Sequence, residues 1–147
     1  MKTMSKISIL LILVSLIFTS CGKYEDGPGI SLLPKSSRLI NNWVLDAKYI
    51  NGTQETLDDN DKAYSYNVLK DGKLEYVYTM GAITYTGTGT WEFSDSKESV
   101  DFSYSVPPTT YNHDFIILRL TSSEFWAEET TSFAGFSTTT EYHFVTK

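Results

Sequence analysis

Between residues 64 and 93, apolar and polar side chains alternate with a period of two. Tyr64, Tyr66 and Val68 share one face, and Ser65 and Asn67 share the other. Leu74, Tyr76, Tyr78 and Met80 continue the pattern, followed by Ile83, Tyr85, Gly87, Gly89, Trp91 and Phe93. That period belongs to a pleated strand with one face buried. Asp71-Gly72 between the first two runs predicts a type I′ hairpin turn, which needs positive φ at both central residues.

The same reading predicts strands over residues 43–50 and 53–57, turning at Asn51-Gly52. Residues 58–62 read as a polar loop. Val100, Phe102 and Tyr104 mark a further strand, and residues 115–120 another, apolar on both faces except Arg119 and therefore expected to be the most buried. Residues 124–130 and 138–146 complete the set, with Tyr142 and Phe144 inward and one of Phe125 and Trp126 outward. Residues 106–113 and 131–137 read as long loops, the first because Pro107 and Pro108 have no amide hydrogen to give a ladder. No segment has helical period or length. The expected fold class is all-β, an up-and-down antiparallel meander of 8–9 strands closing into a β-barrel, since closure removes exposed edges.

Alternate connections of a meander lie at opposite ends. The longer ones (58–62, 106–113, 131–137) then gather at one rim with the short 80–82, where a barrel carries recognition. If 53–57 counts as a full strand, the lead-in to the first strand falls at that same rim. If it does not, the lead-in moves to the opposite end.

The N-terminus reads as an address and not as fold. Lys2 and Lys6 precede an apolar run over residues 7–18, then Thr19-Ser20-Cys21-Gly22. A basic start, a short apolar core and small residues at the break predict a signal peptide over 1–20. The run is shorter than the ~20 residues needed to span a bilayer. Residues 21–38, with Gly22, Gly27, Pro28, Gly29 and Pro34, read as a flexible tether, and 39–147 as the folded domain. Cys21 is the single cysteine, which excludes an internal disulfide. A soluble secreted protein with a spare thiol and a retained signal anchor both remain open on these residues.

Charge narrows the partners. Loss of Lys2 and Lys6 leaves 10 basic against 18 acidic residues and moves the formal net charge from −6 to −8. Nucleic acid is disfavoured, because its binding rests on basic side chains neutralising phosphates. Adhesion to anionic headgroups through a basic patch is disfavoured for the same reason.

Phe18-Thr19-Ser20-Cys21 resembles a bacterial lipobox, which implies cleavage before Cys21 and lipid on its sulfur. Lys23-Tyr24-Glu25-Asp26 is similar to the short acidic signals of Bacteroidota lipoproteins carried to the outside of the outer membrane. Leu39 to Trp43 resembles the first-strand approach of lipocalins, with Asn41 in the usual glycine place. Lys70-Asp71-Gly72-Lys73-Leu74, Gly87-Thr88-Gly89-Thr90-Trp91-Glu92-Phe93 and Leu120-Thr121-Ser122-Ser123-Glu124-Phe125 resemble the lipocalin-like domains of Bacteroidota lipoproteins. The resemblance implies a barrel of small-ligand-binding ancestry, held to the cell envelope through Cys21.

No reactive set stands out. His113 and His143 are the only histidines, without the clustering a zinc site needs. His113-Asp114 lacks a Gly-x-Ser-x-Gly partner, so His113 reads as a loop histidine. Glu128 and Glu129 point to opposite faces of one strand and cannot pair as acid and base. Asp58-Asp59-Asn60-Asp61 lacks the glycine and distal glutamate of a calcium loop. Asn51-Gly52-Thr53 matches a glycosylation sequon but is better explained as a turn. The expectation is no enzyme, no metal and no cofactor. Two functions remain. One is binding of a small apolar or amphipathic ligand by Tyr66, Tyr76, Tyr78 and Tyr85, with Phe133 and Phe136 over the mouth. The other is a solid-core module, with Phe133 and Phe136 plugging the barrel end, that meets another envelope protein. The favoured reading of the two phenylalanines is the plug.

Overall fold

The computed structural model describes residues 32–147. The expected signal peptide, Cys21 and the tether up to residue 31 lie outside the described residues. Nine strands follow one another: β1 (Asn42–Ile50), β2 (Thr53–Glu55), β3 (Tyr64–Val68), β4 (Lys73–Met80), β5 (Ile83–Phe93), β6 (Ser99–Val106), β7 (Thr109–Leu120), β8 (Glu124–Phe133) and β9 (Phe136–Thr146). Every pairing is antiparallel, and β1 pairs with β9, so β1 and β3–β9 close an eight-stranded barrel with β2 as an extra strand. Asn51-Gly52 and Asp71-Gly72 both have positive φ, as the expected I′ turns require.

Two short helices accompany the barrel, α1 (Lys35–Leu39) and α2 (Asp59–Ala63). Helix α1 occupies residues expected to end the tether. Leu39 is fully buried, Arg38 donates from Nη1 to the Leu120 carbonyl at 2.6 Å, and Trp43 donates from Nε1 to the Leu39 carbonyl at 2.7 Å. These bonds satisfy backbone carbonyls at the barrel end, and the buried leucine contributes about 1.5–3 kcal/mol. Helix α2 replaces the expected polar loop. Asp58 caps it by accepting from the Asp61 amide while Asp61 accepts from the Asp58 amide.

β2 and β3 both pair with the same edge of β1, through residues 48–50 and 42–44 respectively. Together they fill one wall position, with α2 between them. The lead-in helix therefore lies at the end with the short connections, opposite the rim. The expected long loops are also absent. β6 and β7 turn tightly at Pro107-Pro108, and β8 and β9 at Ala134-Gly135, so both stretches are extended hairpins. Proline is tolerated there because the pair occupies only the turn.

The core fills the α1 half of the barrel. Trp43, Phe102, Phe115, Phe125 and Phe144 are buried together, with Phe125 and Phe144 stacked at 5.5 Å and Phe102 edge-on to Phe115 at 5.5 Å. Such pairs add about 0.5–1.5 kcal/mol to the area they bury. Residues 115–120 are not buried on both faces, since Ile116 is 47% exposed. A bulge between Ile117 and Arg119 turns Arg119 outward beside Trp126 and Leu120 inward beside Phe125. Trp126 stacks there on His143 at 4.0 Å, with the Arg119 guanidinium over its ring. Trp91, expected in the core, is only half-buried and donates to the Leu69 carbonyl at 2.8 Å.

Candidate functional site

Above the phenylalanine core the inward positions change to tyrosine. Registered partners share a face, so Tyr66 beside Tyr76, Tyr64 beside Tyr78, Tyr78 beside Tyr85 and Tyr104 beside Tyr111 all project into the barrel. Two hollows lie among them. The inner one, about 250 Å³, is walled by Tyr64, Tyr66, Tyr76, Tyr104, Tyr111, His113, Phe115 and Tyr142. The outer one, about 360 Å³, is walled by Tyr76, Tyr78, Tyr85, Tyr104, Val106 and Tyr111. A larger hollow of about 450 Å³ beside the β1–β2 hairpin is lined by Asp46, Ala47, Gln54, Glu55, Thr56, Leu57 and Lys62. It is more open and has no aromatic wall, so the tyrosine-lined space is the better candidate.

The rings are ordered against each other. Tyr104 stacks on Tyr76 at 4.6 Å and on Tyr111 at 5.4 Å, while Tyr66 meets Phe102, Tyr104 and Phe144 edge-on. Their hydroxyls join a chain. Tyr66 Oη lies 3.4 Å from Tyr104 Oη, Tyr104 Oη 3.3 Å from His113 Nε2, and His113 Nδ1 3.1 Å from Glu129 Oε2. An ionised carboxylate only accepts, so His113 donates from Nδ1 to Glu129. Burial first, then neighbouring tyrosines, holds Tyr64 and Tyr66 above the usual phenol range, and burial pushes Tyr76 up to about 12. Tyr104 and Tyr142 are also raised, by burial and by the Glu129 charge among smaller causes.

Two side-chain pairs stand where the wall loosens. The β7–β8 ladder ends at Ile116 and Glu128, and beyond it His113 and Glu129 meet side chain to side chain. Between β1 and β3, Lys48 reaches Asp61 of α2 at 2.6 Å, and Tyr78 Oη donates to Asn60 at 2.9 Å. Lys48 faces inward because a bulge between Leu45 and Ala47 shifts the alternation, putting Lys48 opposite the inward Tyr142.

Of the residues singled out in the sequence, Tyr66 forms the buried floor, and Tyr76, Tyr78 and Tyr85 line the hollows. Phe133 and Phe136 are not among them. They face each other at the tip of the β8–β9 hairpin, 87% and 81% exposed, and neither cap nor plug the barrel. His113 is no loop residue; it sits on β7 and points inward. Tyr104, Tyr111, His113, Glu129, Tyr142, Lys48 and Asp61 were missed as site residues. Tyr111, His113, Phe115 and Ile117 do alternate with period two, a signal obscured by the adjoining proline pair. Glu128 and Glu129 do part to opposite faces: Glu128 lies opposite Glu141, and Glu129 bonds the inward His113. Among the described residues, no three His, Cys, Asp or Glu side chains gather as a metal would need.

Three of the rim hairpins are free of charge. Residues 76–91, 102–112 and 130–140, which include the tips of the β4–β5, β6–β7 and β8–β9 hairpins, contain no Asp, Glu, Lys or Arg. Met80, Ile83, Phe133 and Phe136 are exposed there.

No family model and no curated protein matches the chain. Among solved structures it is similar to insecticyanin of the tobacco hornworm Manduca sexta, a lipocalin, with a TM-score of 0.55 at 9% identity over 85% of this chain and 68% of that one. The likeness shows a lipocalin-like fold.

Proposed function

We propose, from the lipocalin-like barrel as premise, that this protein is a non-catalytic binder that holds a small amphipathic ligand in the tyrosine-lined half of the barrel. The observation that carries the reading is the division of the interior. Phenylalanine and tryptophan pack the α1 half solid, whereas tyrosines leave about 360 Å³ below the rim. That volume falls at the lower end of the range for small-molecule pockets. Ring faces would take the ligand's apolar body, and the hydroxyl chain ending at Glu129 would take its polar group. The uncharged β4–β5, β6–β7 and β8–β9 hairpins lower the desolvation cost of an apolar group passing them.

We further read the protein as an envelope lipoprotein, anchored to the outer membrane through lipid on Cys21. The support is the sequence around that cysteine. A solid-core module docking on another envelope protein is the second reading, favoured by the exposed Phe133 and Phe136. Native mass spectrometry of the full chain purified from its own envelope separates the two. A retained small molecule, lost on Tyr104→Trp filling of the hollow, is expected. A bare mass, with no change in tyrosine fluorescence on adding amphipathic probes, would refute ligand binding.

A further inference from the structure

Around the β4–β9 side of the barrel mouth, side chains grade from apolar to acidic with distance from the hairpin tips. Met80 and Ile83 flank the β4–β5 turn as registered partners, and Phe133 and Phe136 flank the β8–β9 turn in the same way. All four are exposed, from 53% for Ile83 to 87% for Phe133. Behind them Tyr85 and Tyr111 are nearly half exposed, among serines and threonines. Hydroxyls there are answered across their own hairpins: Thr79 by Thr84 at 3.3 Å, Ser105 by Thr110 at 2.8 Å and Ser132 by Ser137 at 2.9 Å. Counting back from the tips, the first Asp, Glu, Lys or Arg on each of these six strands is an acid: Glu75, Glu92, Asp101, Asp114, Glu129 and Glu141. None is closer to its tip than Glu129 is to Phe133, about 13 Å along a strand. The β8–β9 hairpin also stands clear of its neighbours. The ladder to β7 ends at Glu128 and the ladder to β1 at Thr140. Residues 131–138 then pair in register only with each other, and 131–137 are exposed throughout. A bare two-stranded ribbon is at best marginal in water.

We infer that this end of the barrel docks on the surface of a zwitterionic lipid bilayer, with Met80, Ile83, Phe133 and Phe136 entering the boundary between headgroups and acyl chains. The two apolar pairs sit on separate projecting hairpins, whereas a stable protein interface needs a continuous patch of about 800 Å² on each partner. A fluid bilayer needs no such continuity. Its polarity also changes with depth in the order these hairpins follow: apolar tips deepest, tyrosine and hydroxyl at headgroup level, charge in water. Hydroxyls paired with each other and backbone groups held in a ladder enter at little desolvation cost. The acidic collar then lies against the headgroups. That disfavours an anionic surface and suits the outward cationic groups of zwitterionic lipid. The fourth connection at this end, residues 51–63, contains Glu55, Asp58, Asp59, Asp61 and Lys62 and stays in water, so the barrel leans toward its β4–β9 side. Neither a ligand in the cavity nor lipid on Cys21 is needed for this contact.

The test places the full chain, methyl-labelled at methionine and isoleucine, in phosphatidylcholine nanodiscs with nitroxide on a fraction of the headgroups. Met80 and Ile83 report the rim, and Ile40, at the end of α1, reports the opposite end. Met80 and Ile83 should lose most of their methyl intensity, and Ile40 little. Phe133→Ser combined with Phe136→Ser should restore both rim signals. These two side chains are so exposed that the fold should be retained, and the buried Ile117 methyl checks it. Exchange of phosphatidylcholine for phosphatidylglycerol at low salt should restore the rim signals too. The chain enters the barrel through α1, so attachment by its N-terminal residues alone would leave the rim signals intact. Loss at Ile40 in their place, equal loss at both ends, or loss at neither would overturn the inference. So would a rim loss that persists in the double variant or is undiminished in phosphatidylglycerol. Rim broadening that grows with protein concentration in lipid-free detergent would assign the tips to a second copy of the chain and overturn it as well. The comparison of the two ends in the unaltered chain decides the matter even where the double variant fails to fold.

Discussion

The wall of the tyrosine-lined cavity depends on a close approach of two strands, and one methyl group should open it. β6 folds across the inner face of β5 so tightly that a Cβ at Gly89 would lie 1.8 Å from the Ser103 carbonyl oxygen and 2.6 Å from the Tyr104 Cα. Both neighbours are backbone, so no side chain can rotate away. An ordinary contact needs roughly 3.5 Å, so Gly89→Ala requires the strands to part by roughly 1.5 Å. Overpacking of this kind costs about 1–3 kcal/mol. Separation also weakens the ladder around the Thr88–Ser105 and Thr90–Ser103 pairs, at about 1 kcal/mol for each lost bond. The expected loss is therefore about 3–5 kcal/mol, a large share of the roughly 5–15 kcal/mol that stabilises a typical domain. Gly135→Ala is the matched control. Gly135 has φ +84° but nothing within 4 Å of its Cβ, so only the left-handed backbone is penalised, by about 1–2 kcal/mol. Urea unfolding followed by tryptophan fluorescence measures both. Equal losses for the two variants would refute the close-approach reasoning. Gly89→Ala should also disturb the cavity, because Tyr104 is its registered partner.

Three further outcomes are expected. Leu39→Ala should cost about 2–5 kcal/mol in the same assay, because the fully buried Leu39 closes the barrel end; a loss below about 1 kcal/mol would mean that α1 is dispensable. Burial holds Tyr64, Tyr66, Tyr76, Tyr104 and Tyr142 above the usual phenol value of 10.0. Above that pH the unfolded chain releases protons that the fold retains, so their contribution to stability is intact below pH 10 and declines above it, for Tyr76 up to about 12. Tyrosinate absorbance in the native protein should lag that in urea; coincident titration curves would contradict the buried cluster. Finally, Cys21→Ala should move the protein from the membrane to the soluble fraction, and unchanged partitioning would count against lipidation.

Much of the barrel can be read from the chain because strand alternation and turn chemistry are local. Tyr66, Tyr76, Tyr78 and Tyr85 declare their shared face through spacing alone, and Asn51-Gly52 and Asp71-Gly72 declare their turns through the φ they tolerate. What spacing could not reveal is where alternation slips. Two bulges put Lys48 into the barrel and Arg119 out of it, each against a strict period of two. A bulge is set by the partner strand's twist and register, and no residue at the slip announces it. The proline pair had the same consequence in reverse. It suggested a loop, yet the hairpin resumes at Thr109 and carries His113 inward to Glu129. Those two residues are 16 apart in the chain and meet only because β7 and β8 part above Ile116. Local chemistry thus specified the strands and their buried faces, whereas the cavity and the His113–Glu129 pair beside it arose from closure, which brings distant side chains together at positions no short stretch encodes.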